Sequence, residues 1–216
     1  MRPKNILTPL ALFALAGSTL IPAFASAQSV PWQEQIVGSS WSNPIAADAC
    51  EEDAVLMAAM WSTGQRFTAA QAHQQIFAMA NWELKNYGYY QDTSASDTAR
   101  MLTEIYHVPN TVKYGANVLD LRAALANGHI AIIPINGQRL GNPHYSKPAP
   151  PRHMIVVTGY DPKTNMFIVN DPGTRFGRGE RFSSARIMDA MEDYQTGNHI
   201  KNKVIRTAMI EVSMIK

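Results

Sequence analysis

The chain has 216 residues, with 19 Lys or Arg, 17 Asp or Glu, six histidines and a single cysteine. Taking Arg2 and Lys4 of a basic leader from the 19 bases leaves 17, equal to the 17 acids, so no basic excess points to nucleic acid. There is no CxxC pair and the histidines lie scattered at 73, 107, 129, 144, 153 and 199, so zinc-ligand spacing is missing and neither metal nor cofactor is expected.

Residues 1–27 carry Arg2 and Lys4, then a mainly apolar run from Ile6 to Phe24, then the small-x-small ending Ala25-Ser26-Ala27. That order of features predicts a secretory signal peptide cleaved after Ala27, and a secreted or periplasmic protein with no stable membrane association once the leader is gone. A retained anchor is the alternative, although Pro9, Gly17 and Pro22 interrupt the apolar run. The remainder, 28–216, has the length of one domain and shows no internal repeat or low-complexity tract.

Gln28 to Asn43 reads as an irregular approach. Asp48-Ala49-Cys50-Glu51 then predicts a helix start, with Asp48 as cap, Glu51 closing a capping box and Cys50 in the first turn. Unpaired backbone N–H groups and the positive end of the helix dipole would lower the thiol pKa there. Ala54 to Trp61 is apolar on every face, the pattern of a helix buried all round. One unpaired cysteine in an exported protein either forms an intermolecular disulfide or is kept for its reactivity; the competing reading is a small, inert, buried hydrophobe.

A second helix is predicted from a Thr68 cap to about Asn86, with Ile76, Met79, Ala80 and Leu84 as its apolar stripe and Gly88 as its stop. A third starts at Ser94 or Ser96 and ends before Pro109, and a fourth covers Leu119 to Ala126, with a short strand at Thr111–Tyr114 between them. After that the period changes: His129–Ile135, Met154–Tyr160, Met166–Val169 and Val204–Val212 read as strands, with a helix over Ser183–Tyr194. A helical first half that supplies the nucleophile, followed by a mostly antiparallel sheet, is an α+β arrangement.

Asp161 to Asn165 reads as a five-residue turn, so Tyr160 should oppose Met166 and His153 should oppose Gly173. Asp171 is then two residues from that partner, on the same sheet face and diagonal to His153. A carboxylate on one imidazole nitrogen fixes the tautomer and leaves the other nitrogen for a thiol. Taken singly, His153 could be a satisfied histidine at a strand start and Asp171 an acid opening an Asp-Pro-Gly turn.

Three segments carry a resemblance: Val30-Pro31-Trp32-Gln33-Glu34-Gln35, Asp48-Ala49-Cys50-Glu51-Glu52, and Gly141-Asn142-Pro143 through Arg152–Asp161 to Asn170–Arg175. Together they resemble the C-39-like cysteine peptidases of the papain-like group, over most of the chain after the leader. The resemblance implies a papain-like fold, Cys50 as nucleophile, His153 as general base and acid, Asp171 as orienter, and Gln35 in the oxyanion hole. Many relatives have Gly-Pro-Thr or Gly-Pro-Ala after the cysteine, whereas Glu51, Glu52 and Asp53 stand here, as in a Cys-Glu-Glu subset. Those acids should oppose a depressed thiol pKa, and they also read as favourable charges at a helix N-terminus.

The segment Gly137–Arg152, with Pro143, Pro148, Pro150 and Pro151, reads as a long loop leading into His153. Tyr145 and Arg152 could meet substrate from it, or it could be an ordinary proline-stiffened surface loop. No Gly-x-x-x-x-Gly-Lys loop accompanies the segments above, so the processing of bacteriocin leaders by export-ATPase fusions is not implied. The functional expectation is an exported hydrolase of peptide or protein substrates acting through a thioester acyl-enzyme. The alternatives are acyl transfer, as in transglutaminases or phytochelatin synthases, and a catalytically silent peptide-binding module.

Overall fold

The apolar run after Cys50 forms a helix with no solvent side. In the computed structural model, which describes residues 27–197 and 206–215, helix α2 (Cys50–Thr63) is buried without a break from Cys50 to Ser62. Gly64, at φ 75°, takes the left-handed conformation that ends it. A short α1 (Pro44–Ala47), capped by Asn43, precedes it. The expected capping box is not formed: the N-cap of α2 is Ala49, without a side-chain bond, because Asp48 closes α1 and Glu51 turns inward.

Helix α3 (Ala69–Tyr87) begins as its sequence predicts, with the Thr68 and Gln71 side chains closing a capping box, and stops at Gly88. Its buried stripe differs from the expected one. Leu84 is 43% exposed and Glu83 is buried in its place, facing Glu52 of α2. Helix α4 (Ala95–Glu104), capped by Ser94, completes this layer.

The remaining elements are β1 (Asn110–Tyr114), α5 (Val118–Ala126), β2 (Ile130–Ile135), α6 (Gly137–Leu140), β3 (His153–Asp161), β4 (Met166–Asn170), β5 (Arg178–Ser183), α7 (Ser184–Ala190) and β6 (Ala208–Val212). The strands form one antiparallel sheet in the order β1-β6-β2-β3-β4-β5. Alternation along the central strands sorts their side chains into two layers. Ile130, Ile132, Met154, Val156 and Ile210 join the core with α2, α3 and α4. Ala131, Ile133, Ile155, Val157, Phe167 and Val169 join a second core with α5 and α7.

Strand β5 and helix α6 are not anticipated by the sequence pattern. Arg178-Gly179-Glu180-Arg181-Phe182-Ser183 is largely exposed at the sheet edge and has no apolar alternation strong enough to mark it. The helix expected over Ser183–Tyr194 is confined to α7, and Met191 leaves it to bridge with Ile135.

The β3–β4 hairpin reaches the expected pairing by another route. Asp161 pairs with Met166, so the turn is one residue shorter than expected, and a bulge at Thr158 restores the register, giving Val157–Val169 and Val156–Asn170. The extra residue cancels the shorter turn, which returns His153 and Asp171 to their diagonal relation. Apart from Ala27, the leader expected over 1–27 lies outside the described residues, as do the first residues of the last expected strand. Among the described residues, no helix is long and apolar enough to cross a membrane.

Candidate active site

Asp171 follows β4 directly and shares its parity with Phe167 and Val169, just as His153 shares that of Ile155 and Val157, so the two side chains meet on one face. The Nε2 atom of His153 lies 2.7 Å from Asp171 Oδ1, and both side chains are buried. With Nε2 engaged, Nδ1 is the nitrogen left for a reacting group.

Asp171 accepts three further hydrogen bonds: from the Gly173 N–H at 2.8 Å on Oδ1, and on Oδ2 from the Tyr145 hydroxyl at 2.5 Å and Asn142 Nδ2 at 3.1 Å. Burial by itself would raise this carboxyl. The facing His153 charge and these donors outweigh it and hold the pKa below the usual carboxylate range.

The strand end is clamped from the N-terminal segment. The Trp32 indole donates to Asp171 O at 2.9 Å, Gln35 N donates to Pro172 O at 3.0 Å, and Asn170 Nδ2 donates to Val30 O at 3.2 Å. Glycine is required at 173: a β-carbon there would lie 2.8 Å from His153 Cε1 and 2.9 Å from Nε2.

Cys50 and His153 border a single cleft of about 730 Å³, together with Gln35 and Gly173, and the exposed Trp41 and Phe176 stand at its walls. The cysteine lies in the first turn of α2, as expected, but its thiol is not depressed. Burial raises its pKa well above the ordinary value, and Glu51 adds to this. Sγ donates to Glu51 Oε2 at 2.9 Å, and the Tyr194 hydroxyl donates to Glu51 Oε1 at 2.7 Å. A carboxylate in contact with the thiol opposes the helix dipole more strongly than the dipole favours a thiolate. Reading the three acids as favourable charges at a helix end is therefore corrected, since Glu51, Glu52 and Asp53 are all buried.

Gln35 is buried at the cleft, but its amide does not point into it. Nε2 donates to Ala46 O at 3.1 Å and to Ala47 O at 2.8 Å, which uses both amide hydrogens to hold the end of α1. Gln33 is not an idle neighbour either, because it donates to buried Asp53 at 2.5 Å.

Asn142 and Tyr145 are the residues that sequence reasoning left unassigned. Tyr145 is buried, stands edge-on to the His153 ring at 5.4 Å and holds Asp171, so it supports the site where the sequence suggested a contact with substrate. Arg152 pairs with Asp92 at 2.8 Å across the cleft edge. The signal that could have found Asn142 was the Gly141-Asn142-Pro143 segment of the resemblance. Among the described residues, no group of three or more His, Cys, Asp or Glu is placed to hold a metal ion.

Among solved structures, one described as a putative C39-like peptidase from Bacillus anthracis is 12% identical with a TM-score of 0.49, covering 88% of this chain and 97% of that one. No curated protein matches the chain. The model of the Peptidase_C39 like family matches residues 27–200, which include the cleft and every side chain around Asp171. With that match over most of its length, the chain, an α+β arrangement of helices and one antiparallel sheet, belongs to the Peptidase_C39 like family.

Proposed function

We propose that this protein is an exported cysteine peptidase in which Cys50 is the nucleophile, His153 the general base and acid, and Asp171 the group that orients His153. The observation that carries the reading is the meeting of the chain's one cysteine, at a helix start, with a buried His153–Asp171 pair in a single cleft. In the proposed reaction His153 Nδ1 takes the thiol proton as Sγ attacks the scissile carbonyl. The same proton goes to the departing amine, and water then releases the acyl group from sulfur.

The Cys50 backbone N–H, in the first turn of α2, is one of the groups that a helix leaves without an internal acceptor, and it serves as an oxyanion donor. Gln35 joins it as second donor by releasing Ala46 O, the longer of its two contacts. Substrates are peptides or proteins, with Trp41 and Phe176 offering apolar walls to the residues on either side of the scissile bond. Export is proposed from the leader pattern, and intact mass of secreted material beginning at Gln28 would support it.

The test is turnover of a peptide library by the protein without its leader and by four variants, three single and one double. Cys50→Ala and His153→Ala should each abolish hydrolysis, and Asp171→Ala should reduce it severely. The His153→Ala/Asp171→Ala pair should be scarcely worse than His153→Ala alone, because residues acting as one unit are not additive. Products formed with an added amine would identify acyl transfer instead. A Cys50 that is labelled only in denaturant would identify a silent binding module.

A further inference from the structure

The acid that follows the nucleophile has no part in the scheme above, yet it is hydrogen-bonded to the reacting atom. We propose that Glu51 is a positioning residue that holds Cys50 as a neutral thiol, so that attack requires Glu51 itself to be neutral. This rests on the reading of Cys50 as nucleophile.

Three observations carry it. First, the thiol hydrogen is directed at Glu51 Oε2, 2.9 Å away, in a site where both residues are buried. Second, Tyr194, 143 residues further along the chain, donates to the other carboxylate oxygen at 2.7 Å, so the carboxylate is held in place from a separate element. Third, the groups around Glu51 supply little positive charge. Cys50 and Glu52 lie beside it on α2, Glu83 approaches from α3, Asp92 from the turn before α4 and Tyr194 from beyond α7, while Arg152 is engaged with Asp92 and lies 5.8 Å over the Tyr194 ring. Burial first, and the Asp92 charge second, raise Glu51 to about 7, so it changes charge near neutrality.

The chemistry follows from counting protons. When Glu51 is ionised, moving the thiol proton to His153 Nδ1 would leave a thiolate against a carboxylate in a buried site, which Coulomb repulsion opposes. When Glu51 carries its own proton, the same transfer leaves a thiolate that accepts a hydrogen bond from the Glu51 carboxyl. The Sγ–C bond then forms as the carbonyl π pair moves to oxygen, and Glu51 neither gains nor loses a proton over the step.

The experiment is the rate of Cys50 alkylation by iodoacetamide in the folded protein, measured from pH 5 to 10. In the wild-type protein the rate should rise until Glu51 loses its proton, near pH 7, and then level, because further thiolate must form beside a carboxylate. In Glu51→Gln the rise should continue beyond pH 7. At fixed pH each unit by which the thiol pKa falls should speed alkylation about threefold, since tenfold more thiolate is partly offset by its lower nucleophilicity.

Tyr194→Phe keeps the acid and covers the case in which Glu51→Gln does not fold. It removes a donor that stabilises the carboxylate, so the level region should begin at a higher pH. A Glu51→Gln profile that superimposes on wild type, or is slower throughout, overturns the proposal, as does a Tyr194→Phe profile that does not move. A wild-type thiol that alkylates at no pH removes the nucleophile reading instead, which keeps the two failures distinct.

Discussion

Gly173→Ala tests the catalytic geometry without touching any functional group. The glycine has no positive φ, so alanine brings no backbone strain, and its effect comes from one methyl group. That carbon would lie 2.8 Å from His153 Cε1, 2.9 Å from Nε2 and 3.2 Å from Asp171 Oδ1. Carbon atoms rest at about 3.5–4.0 Å, so either the imidazole or the loop must give by about 0.7 Å. Yielding is difficult because Tyr145 stands edge-on to the ring and the Gly173 N–H is itself bonded to Asp171. Since a misplacement of about 1 Å costs on the order of 10²-fold in rate, kcat should fall by roughly that factor. Overpacking should cost about 1–3 kcal/mol of stability, and at about 2–4 °C per kcal/mol the melting temperature should drop by a few degrees while the fold persists. The assay is steady-state turnover of a peptide cleaved by wild type, alongside thermal melts. A Gly173→Ala variant with wild-type kcat would refute the idea that the His153–Asp171 contact sets the rate.

Three further outcomes follow from the same contacts. Tyr145→Phe removes one of four donors from Asp171 and should cost about 1.5–3 kcal/mol, the range for a bond to a charged group, read as a lower denaturation midpoint. Because the folded Asp171 pKa is depressed, its contribution is present above the unfolded value and lost as pH falls through the folded one, so in Tyr145→Phe the acid unfolding edge should move to higher pH. Glu83→Gln should act in the opposite sense: burial, foremost, raises both Glu52 and Glu83, with the Glu83 carboxyl adding to it at Glu52 and the Glu51 charge adding to it at Glu83, so the folded protein retains protons that the unfolded chain releases above about pH 4.3. The variant should therefore melt near wild type at pH 4 and increasingly above it towards pH 8, and an equal offset at every pH would refute the view that Glu83 stays protonated in the folded protein. Gln35→Ala should lower kcat by about 10²–10³ with KM little changed if its amide meets the oxyanion, whereas a loss of thermal stability with kcat intact would confine Gln35 to holding α1.

Features governed by neighbours a few residues apart were legible in the order of residues. Thr68 with Gln71, and Gly88, act through bonds and backbone angles within one turn, so the start and stop of α3 were legible. The unbroken apolar run after Cys50 revealed a buried helix, and period-two alternation revealed the central strands, because burial on one or both faces leaves that imprint locally. The diagonal placement of His153 and Asp171 was legible for a related reason: side chains alternate along a strand, and two unforeseen changes of one residue each, in the turn and at Thr158, cancelled. Which long-range partner each polar group takes emerged from the folded chain alone. Asp171 receives Tyr145 and Asn142 from a loop whose composition suggested a surface, Gln35 spends its amide on α1, and Glu83 takes the buried position that an apolar stripe would assign to Leu84. Glu51 is the clearest case. Capping chemistry, which depends on sequence distance alone, directs its carboxylate back along its own helix, whereas burial beside Cys50 and a hydroxyl from Tyr194, 143 residues away, direct it to the thiol.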